Sequence, residues 1–165
     1  MLIRVGTPGG KPLAGPVAAP LEKYSITKSG TTLLVDLWYI MKSGDAPRMN
    51  RNHQGDAIKI KGTVYPVGLG CKAESRIMYK LNGKGNRFQA SVGIDDAYSG
   101  TEPGRFRILN EDAFGDRAIF DSGKMTKGMG AMDVDIDVKW LGFILLEFRG
   151  KEVIADWVDP RVTSN

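Results

Sequence analysis

The segment 133–138 alternates strictly between aspartate and branched apolar residues, in the order Asp-Val-Asp-Ile-Asp-Val. Successive side chains of a strand point to opposite faces, so the aspartates would face solvent while the valines and the isoleucine face a core. A helix of 3.6-residue period would mix the two sets. The segment 87–94 repeats the pattern, with Phe88 and Val92 on its apolar face. Both segments are therefore predicted to be half-buried strands.

Short apolar or alternating runs continue through the rest of the chain after Gly30, separated by glycine, asparagine and proline. The run Phe143–Leu146 is typical of a central strand covered on both faces. The segment 82–86, Asn-Gly-Lys-Gly-Asn, predicts a hairpin turn, because glycine and asparagine tolerate the positive φ of tight turns. Further predicted strands are Thr32 to Ile40, Ala57 to Lys61, Arg76 to Leu81, Arg105 to Leu109, Arg117 to Asp121, Gly142 to Phe148 and Glu152 to Ala155.

These elements predict an all-β fold in a single domain. About nine short strands without a long amphipathic helix favour an antiparallel β-sandwich, with a barrel as the alternative. Residues 1–30 hold four of the eight prolines and show no sustained period, so they are predicted to be a Pro/Gly-rich linker or arm. An edge strand stays open there, because proline donates no backbone hydrogen bond. The sandwich is assigned to residues 31–165.

Charge and composition narrow the classes of partner. Lysine and arginine exceed aspartate and glutamate by 23 − 19 = 4, and the excess is spread along the chain. Nucleic-acid binders concentrate basic residues on one face, so no nucleic-acid partner is predicted. No apolar run approaches the roughly eighteen residues of a membrane-spanning helix, and the N-terminus lacks the features of a secretory signal. The single cysteine, Cys71, excludes an internal disulfide.

Few residues offer catalytic chemistry. His53 is the only histidine and lies in a polar loop, where either a surface position or a ligand contact fits. Asp95 and Asp96 are adjacent and would point to opposite faces of a strand, which excludes them as the facing carboxylates of a glycosidase. They are predicted to cap a turn, with oxygen ligation of calcium as the alternative. The chain is not predicted to be an enzyme.

The segment 68–75, Gly-Leu-Gly-Cys-Lys-Ala-Glu-Ser, is interpreted as a glycine-rich loop that carries Lys72 and Glu74. Glycine would let such a loop approach a ligand closely, and a solvated turn is the alternative. Trp157 follows Asp156. Its indole either belongs to the core or stacks on the apolar face of a sugar.

Several short motifs follow one another in a fixed order over residues 31–162. They are Tyr65-Pro66-Val67-Gly68-Leu69-Gly70, Ala73-x-Ser75-x-Ile77-x-Tyr79-x-Leu81-x-Gly83, Phe88-x-Ala90-x-Val92-Gly93-Ile94-Asp95-Asp96, Gly104-x-Phe106-x-Ile108, Ser122-Gly123, Asp135-Ile136-Asp137-Val138 and Asp156-Trp157-Val158-Asp159. With this order and spacing the chain resembles the NPCBM domain, which is also classed as carbohydrate-binding module family 51.

The resemblance implies a galactose-binding-like jelly roll, attached to secreted glycoside hydrolases, that binds galactose-containing glycans without catalysing a reaction. A catalytic domain in a larger parent protein and an extracellular or cell-surface location are expected on the same ground. Binding of this kind requires no cofactor. The resemblance and the acidic loops also leave room for a structural calcium ion.

One position departs from the family pattern. Relatives usually read Gly-x-His-Ala-x-Ser where this chain has Lys72 within residues 70–75. An ammonium group favours an anionic sugar such as a uronate or a sulfated residue, so galactose-type and anionic glycans both stay open as ligands. The alternative function is a structural or protein-interaction sandwich that has lost sugar binding.

The ligand site is predicted in the loops at one end of the sandwich, with Trp157 as a platform. No catalytic residue and no metal ligand is assigned. The predicted ligand-binding residues are Asn50, Arg51, Asn52, His53, Lys72, Glu74, Asp156, Trp157 and Asp159.

Overall fold

A computed structural model describes residues 4–6, 12–13, 26, 29–112 and 115–165 of the chain. Within these ranges the chain forms strands and one short 3-10 turn, Leu34–Asp36. The strands are β1 (Arg4–Gly6), β2 (Pro12–Leu13), β3 (Gly30–Leu33), β4 (Tyr39–Ser43), β5 (Arg48–Met49), β6 (Ile58–Ile60), β7 (Thr63–Tyr65), β8 (Gly68–Lys72), β9 (Ser75–Lys80), β10 (Gly85–Ile94), β11 (Gly104–Asp112), β12 (Gly115–Asp121), β13 (Met132–Asp137), β14 (Phe143–Gly150) and β15 (Ile154–Ser164).

Two antiparallel sheets pack face to face as a β-sandwich. The seven-stranded sheet has the order β12-β11-β14-β9-β4-β1-β2. The six-stranded sheet has the order β13-β10-β15-β8-β5, and β3 also pairs with β15. β6 and β7 form a separate two-stranded hairpin. The predicted sandwich is confirmed, and the described chain has more strands than the alternating pattern indicated.

The core between the sheets is centred on aromatic side chains. Trp157 of β15 is fully buried, and its ring meets Phe106 of β11 edge-on at a centroid distance of 5.0 Å. Phe106 also packs against Phe148 of β14 at 4.6 Å. The Trp157–Phe106 contact joins the two sheets, whereas Phe106 and Phe148 are neighbours within the seven-stranded sheet. Burial of each phenylalanine stabilises the fold by roughly 1.5–3 kcal/mol.

A third layer covers part of the outward face of the six-stranded sheet. Ile58 and Ile60 of the β6–β7 hairpin are buried against β15 in a second, smaller core. Gly68 and Gly93 lie beneath them, where a Cβ atom would collide with the two isoleucine side chains. The glycines therefore let the hairpin approach the sheet closely. Residues 50–57, called the cover loop below, precede this hairpin.

The two clearest predicted patterns are confirmed. In β13, Asp133, Asp135 and Asp137 are exposed while Val134 is buried. Phe143–Leu146 lies in β14, between β11 and β9, and both faces of this strand carry buried side chains. Period-two alternation and a continuous apolar run therefore predicted a half-buried strand and a central strand correctly.

Two predicted elements are wrong because the chain passes from one sheet to the other. The segment Thr32 to Ile40 is not one strand: β3 ends at Leu33, the 3-10 turn follows, and β4 begins at Tyr39 in the opposite sheet. Asn82 and Gly83 do have positive φ values of 57° and 67°. However, β9 and β10 belong to different sheets, so this turn does not form a hairpin. Turn residues specify a chain reversal and leave the pairing partner open.

The glycine-rich segment 68–75 is also not a loop over most of its length. Gly68–Lys72 forms β8, which pairs with β15 and β5 inside the six-stranded sheet. The first four residues of β8 are buried. The solvated turn considered for this segment is therefore wrong, and its glycines serve close packing within the sheet instead.

The N-terminal arm falls largely outside the described residues. Within the described part, β1 pairs with β4 and with β2, so Pro12 lies in the edge strand of the seven-stranded sheet. Ile26 is buried in the core. The domain boundary near residue 30 stays a prediction. Among the described residues, no helix has the length and apolar character needed to cross a membrane.

Candidate functional site

The loops gather at two ends of the sandwich. At one, called the Lys72 end, β4 and β8 finish and β9 and β15 begin, since Lys72 lies beside Ile154 and Ser43 lies beside Arg76 in the sheet registers. At the other, called the Trp140 end, lie the β9–β10 turn and residues 138–142 between β13 and β14. Most of the predicted polar contacts belong to the Lys72 end.

The cover loop is positioned by β8. The backbone N–H of Asn50 donates to the Gly68 carbonyl at 2.7 Å, and the Gly68 N–H donates to Asn50 Oδ1 at 3.2 Å. Two residues along β8, a Cβ at Gly70 would collide with the Arg51 carbonyl. The alternation of Gly68, Gly70 and Lys72 thus leaves room for the loop and then places a partly exposed lysine at the end of the strand.

Four side chains form a charged cluster at this end: Asp45, His53, Lys72 and Glu152. The His53 ring donates from Nε2 to Asp45 Oδ2 at 3.1 Å, and Lys72 Nζ lies 2.7 Å from Glu152 Oε2. The pKa of Lys72 is raised, first by the hydrogen bond to Glu152 and also by the charges of Glu152 and Asp45. The charge of Asp45 therefore acts on Lys72 as well as on His53, and Lys72 is protonated.

This charged cluster contains both donors and acceptors that reach solvent. A carboxylate only accepts, so His53 Nε2 donates to Asp45, and the second ring nitrogen, Nδ1, has no partner in this contact. The Lys72 ammonium donates, and the Glu152 side chain is 74% exposed. Glu74 and Arg51, each two residues in sequence from a member of the charged cluster, are exposed. The arrangement can bind a ligand that carries several hydroxyl groups, because each hydroxyl both donates and accepts.

Asn52 lies at the same end but has a structural position. Its side chain is buried, its Oδ1 accepts from the backbone N–H groups of Gln54 and Asp56, and its Nδ2 donates to Asp95 Oδ1 at 3.1 Å. All of these partners belong to the protein. The interpretation of Asn52 as a direct contact for sugar hydroxyls is contradicted by this burial.

Asp156 and Trp157 are not available to a ligand either. Asp156 lies on the outward face of β15 between Gly70 and Gly93, and Trp157 points into the core; both are fully buried. Trp157 as a stacking platform is therefore wrong, because its indole packs on Phe106. Desolvation raises the pKa of Asp156 to about 10, and the nearby carboxylates of Asp95 and Asp96 add to this shift.

Asp159 is partly exposed but lies away from the charged cluster. Its Oδ2 accepts from Arg161 Nη1 at 2.8 Å, and its N–H donates to the Val67 carbonyl at 2.9 Å. Its φ of 47° marks the bend where the register between β15 and β10 shifts. The structure thus places His53 and Lys72 at the same end, whereas Asn50 and Asp159 are bonded to Gly68 and Val67, where β8 begins.

Asp95 and Asp96 accept backbone hydrogen bonds from the β6–β7 hairpin, which follows the cover loop, and from the turn after β10. Asp95 Oδ1 accepts from the Ala97 N–H at 2.8 Å, and Asp95 Oδ2 accepts from the Lys59 N–H at 3.2 Å. Asp96 accepts from the N–H groups of Lys61 and Gly62, each at 2.9 Å. These are the backbone hydrogen bonds expected of capping aspartates. In the described part of the chain no three His, Cys, Asp or Glu side chains form a group that could hold a metal ion. The calcium ion stays a prediction.

Asp45 and Glu152 were missed by sequence reasoning. They are 107 positions apart, and nothing in the sequence around either residue shows that Glu152 pairs with Lys72 or that Asp45 acts on it. Gly44 is the single local signal, because its φ of 85° suits glycine and its close packing against the Glu74 carbonyl forms the turn that presents Asp45.

A β-sandwich that gathers polar side chains in loops at one end has the architecture of a ligand-binding module. The family model of the NPCBM/NEW2 domain matches residues 32–163. Alpha-1,3-galactosidase B of Akkermansia muciniphila is 31% identical over 120 residues, which are 68% of this chain and 15% of that protein. The chain thus spans less than a sixth of this curated relative.

Two solved structures share the fold. A CBM51 module from Clostridium perfringens GH95, in complex with methyl-galactose, superposes with a TM-score of 0.66 at 21% identity and covers 81% of this chain and 99% of that one. CBM51-2 of Clostridium perfringens ZmpB, in complex with GlcNAc, gives 0.67 at 21% identity, over 81% of this chain and 31% of that one. With the family match over most of its length, the chain belongs to the NPCBM/NEW2 domain family.

Proposed function

We propose that this domain binds a neutral, galactose-type carbohydrate without catalysis, at the Lys72 end. The observation that carries the proposal is the charged cluster, which offers hydrogen-bond donors and acceptors at the rim of the cover loop. Family membership and the likeness to modules solved with methyl-galactose and with GlcNAc support this class of ligand.

The balance of charge favours a neutral sugar over an anionic one. Lys72 is already paired with Glu152 at 2.7 Å, and Asp45 lies close enough to raise the pKa of Lys72 further. Glu74, two residues further along the chain, is exposed as well. An anionic ligand would therefore meet like charge and would have to displace Glu152. A neutral hydroxyl can accept from Lys72 while the ion pair persists.

Binding without reaction agrees with the state of the acidic groups. Asp45 and Glu152 are engaged by His53 and Lys72. Asp156 has the raised pKa that suits a general acid, but it is fully buried and cannot contact a glycosidic bond. We therefore assign no catalytic residue, and the proposed binding requires no cofactor.

The proposed setting is a larger, extracellular or cell-surface glycoside hydrolase, in which this domain holds the enzyme near its glycan. A single small sugar engages few heavy atoms, so its affinity should lie between roughly millimolar and micromolar Kd. Attachment to a catalytic domain or to further modules would raise the effective affinity by avidity.

The test is a glycan screen followed by isothermal calorimetry with methyl-galactoside and with N-acetylglucosamine. Lys72→Ala and His53→Ala should each weaken binding of the preferred sugar by roughly tenfold, because each removes a hydrogen bond to a charged or polar partner. Arg117→Ala is the matched control, since it removes one exposed positive charge from strand β12. A reducing-end assay on the hits measures hydrolysis.

Unchanged affinity in both Lys72→Ala and His53→Ala would place the sugar elsewhere and contradict the proposed site. Failure of every glycan in the screen would favour the protein-interaction sandwich instead. Release of reducing ends by the domain would contradict binding without catalysis.

A further inference from the structure

At the Trp140 end the most exposed large apolar side chain of the described residues stands in the turn after β13. The Trp140 side chain is 87% exposed, whereas the other described tryptophans are buried or half-buried. An indole in this position contributes nothing to the core. A large exposed aromatic ring is the group that most often anchors a ligand at a protein surface.

The backbone of this turn holds Trp140 in an unfavourable conformation. Its φ is 68°, in the left-handed region where glycine or asparagine is favoured over a bulky residue. Hydrogen bonds fix the turn on both sides: the Val138 N–H donates to the Asn86 carbonyl at 2.9 Å, and the Leu141 N–H donates to the Val138 carbonyl at 3.2 Å. A strained, exposed tryptophan on a fixed turn points to a ligand.

Trp140 borders a pocket of about 360 Å³, which is lined by 83–86, Lys139, Trp140 and Asn165. The lining has two exposed lysines, Lys84 and Lys139, and no acidic side chain. Asp137 lies next to it, but its Oδ1 accepts from the Lys139 backbone N–H at 2.8 Å. The side chains that line this pocket thus carry only positive charge, whereas at the Lys72 end Glu152 pairs with the lysine.

We propose that the Trp140 pocket is a second saccharide-binding site, which takes an acidic sugar ring. The apolar face of the ring stacks on the Trp140 indole, and its carboxylate or sulfate group lies between Lys84 and Lys139. The class of ligand rests on the proposed function, whereas the site does not: it lies at the opposite end of the sandwich. A glycan with neutral and acidic units would then be held at both ends.

The domain is titrated with a galacturonic acid oligosaccharide, a sulfated galactan oligosaccharide and a neutral galactose oligosaccharide. Calorimetry and tryptophan emission monitor binding. The acidic probes should change the emission of Trp140, and Trp140→Asn should weaken their binding by about tenfold. Asparagine accepts the left-handed backbone, so this variant should fold. Lys84→Ala with Lys139→Ala should weaken it similarly and remove most of its dependence on salt between about 50 mM and about 300 mM.

Matched variants separate this site from the Lys72 end. Val64→Ala, which trims another exposed apolar side chain, should bind as the unaltered domain does. Lys72→Ala should bind the acidic probe as the unaltered domain does and should bind the neutral probe about tenfold more weakly. Two results overturn the second site: acidic probes that bind Trp140→Asn as tightly as the unaltered domain, or acidic probes that do not bind the unaltered domain. Neutral binding can survive that result, so the two proposals fail independently. Preference between the two acidic probes identifies the anionic group.

Discussion

The buried side-chain amide of Asn52 donates to Asp95 Oδ1 at 3.1 Å and so ties the cover loop to the end of β10. Its Oδ1 accepts from the N–H groups of Gln54 and Asp56, both at 3.0 Å. One side chain therefore sets both the shape and the position of the loop. It also places His53, the next residue, within reach of Asp45.

Asn52→Ala should lower the free energy of unfolding by about 1–3 kcal/mol, because it leaves buried partners unsatisfied. It should also weaken glycan binding through the position of His53, although Asn52 itself does not face the ligand. Urea unfolding and calorimetry measure the two effects. Gln54→Ala, an exposed change in the same loop, should alter neither. Equal stability of the two variants would contradict the anchoring role.

Gly70→Ala should disturb the same loop from below. The added Cβ would collide with the Arg51 carbonyl and the Asn52 backbone, and overpacking of this kind costs about 1–3 kcal/mol. Gly142→Ala is the matched control, since no heavy atom lies within 4 Å of its added Cβ. Thermal unfolding compares them. If both variants melt together, close packing of the cover loop on β8 is not the reason for glycine at position 70.

Asp156 should make the domain less stable as the pH rises. Its folded-state pKa is about 10, whereas an unfolded carboxyl titrates near pH 4. Between these values the folded state holds a proton that the unfolded state has lost. The stability contributed by this group is therefore complete below about pH 4 and is lost progressively toward about pH 10, with a slope of up to ~1.4 kcal/mol per pH unit.

Asp156→Asn removes this titration and keeps the shape of the side chain. The difference in unfolding free energy between the variant and the unaltered domain should therefore grow in favour of the variant from about pH 5 to about pH 9. Urea unfolding at several pH values measures it. Asp121 and Asp135, whose pKa values are lowered chiefly by hydrogen bonds from Arg105 and Arg87, titrate on the acid side in both proteins. Parallel stability curves would show that Asp156 is ionised in the folded state.

The sequence predicts those parts of the fold that local alternation determines. Strand β13 could be predicted because its three aspartates face solvent within six residues. The segment Gly68-x-Gly70-x-Lys72 was missed, because glycine indicates a loop locally, whereas these glycines leave room for a cover loop from elsewhere in the chain. Period-two spacing of the glycines was the signal that this segment is a strand.

Of the candidate site, the sequence predicts residues in the loops and misses the partners that the fold brings to them. Lys72 and His53 stood out as charged or titratable residues in segments that contain glycine, and they do lie at one end. Asp45 and Glu152 are brought to them by tertiary contacts between strands that are distant in sequence. Trp157 was predicted to be a sugar platform because aspartates lie on both sides of it in the sequence. Alternation along β15 nevertheless points its indole into the core. Neighbours in sequence do not decide which face of a strand meets solvent.

Trp157 and Trp140 should respond to substitution in opposite ways. Trp157→Ala removes a fully buried ring that packs on Phe106 and should cost about 3–5 kcal/mol. Trp140→Asn removes an exposed ring and suits the left-handed backbone, so its stability should stay within about 0.5 kcal/mol or rise. Urea unfolding of both variants makes the comparison. Similar losses would mean that Trp140 packs against the protein in solution.

Calcium should have no effect on stability if the aspartates at the end of β10 are caps. All four carboxylate oxygens of Asp95 and Asp96 already accept backbone or amide N–H groups. Addition of EDTA should therefore leave Tm unchanged, with calcium-saturated EDTA as the control.

Asp96→Ala should lower stability by about 1–3 kcal/mol with or without calcium, because it frees the N–H groups of Lys61 and Gly62. A Tm that falls in EDTA and recovers with calcium, together with an Asp96→Ala variant that no longer responds, would instead establish a structural calcium site at this turn.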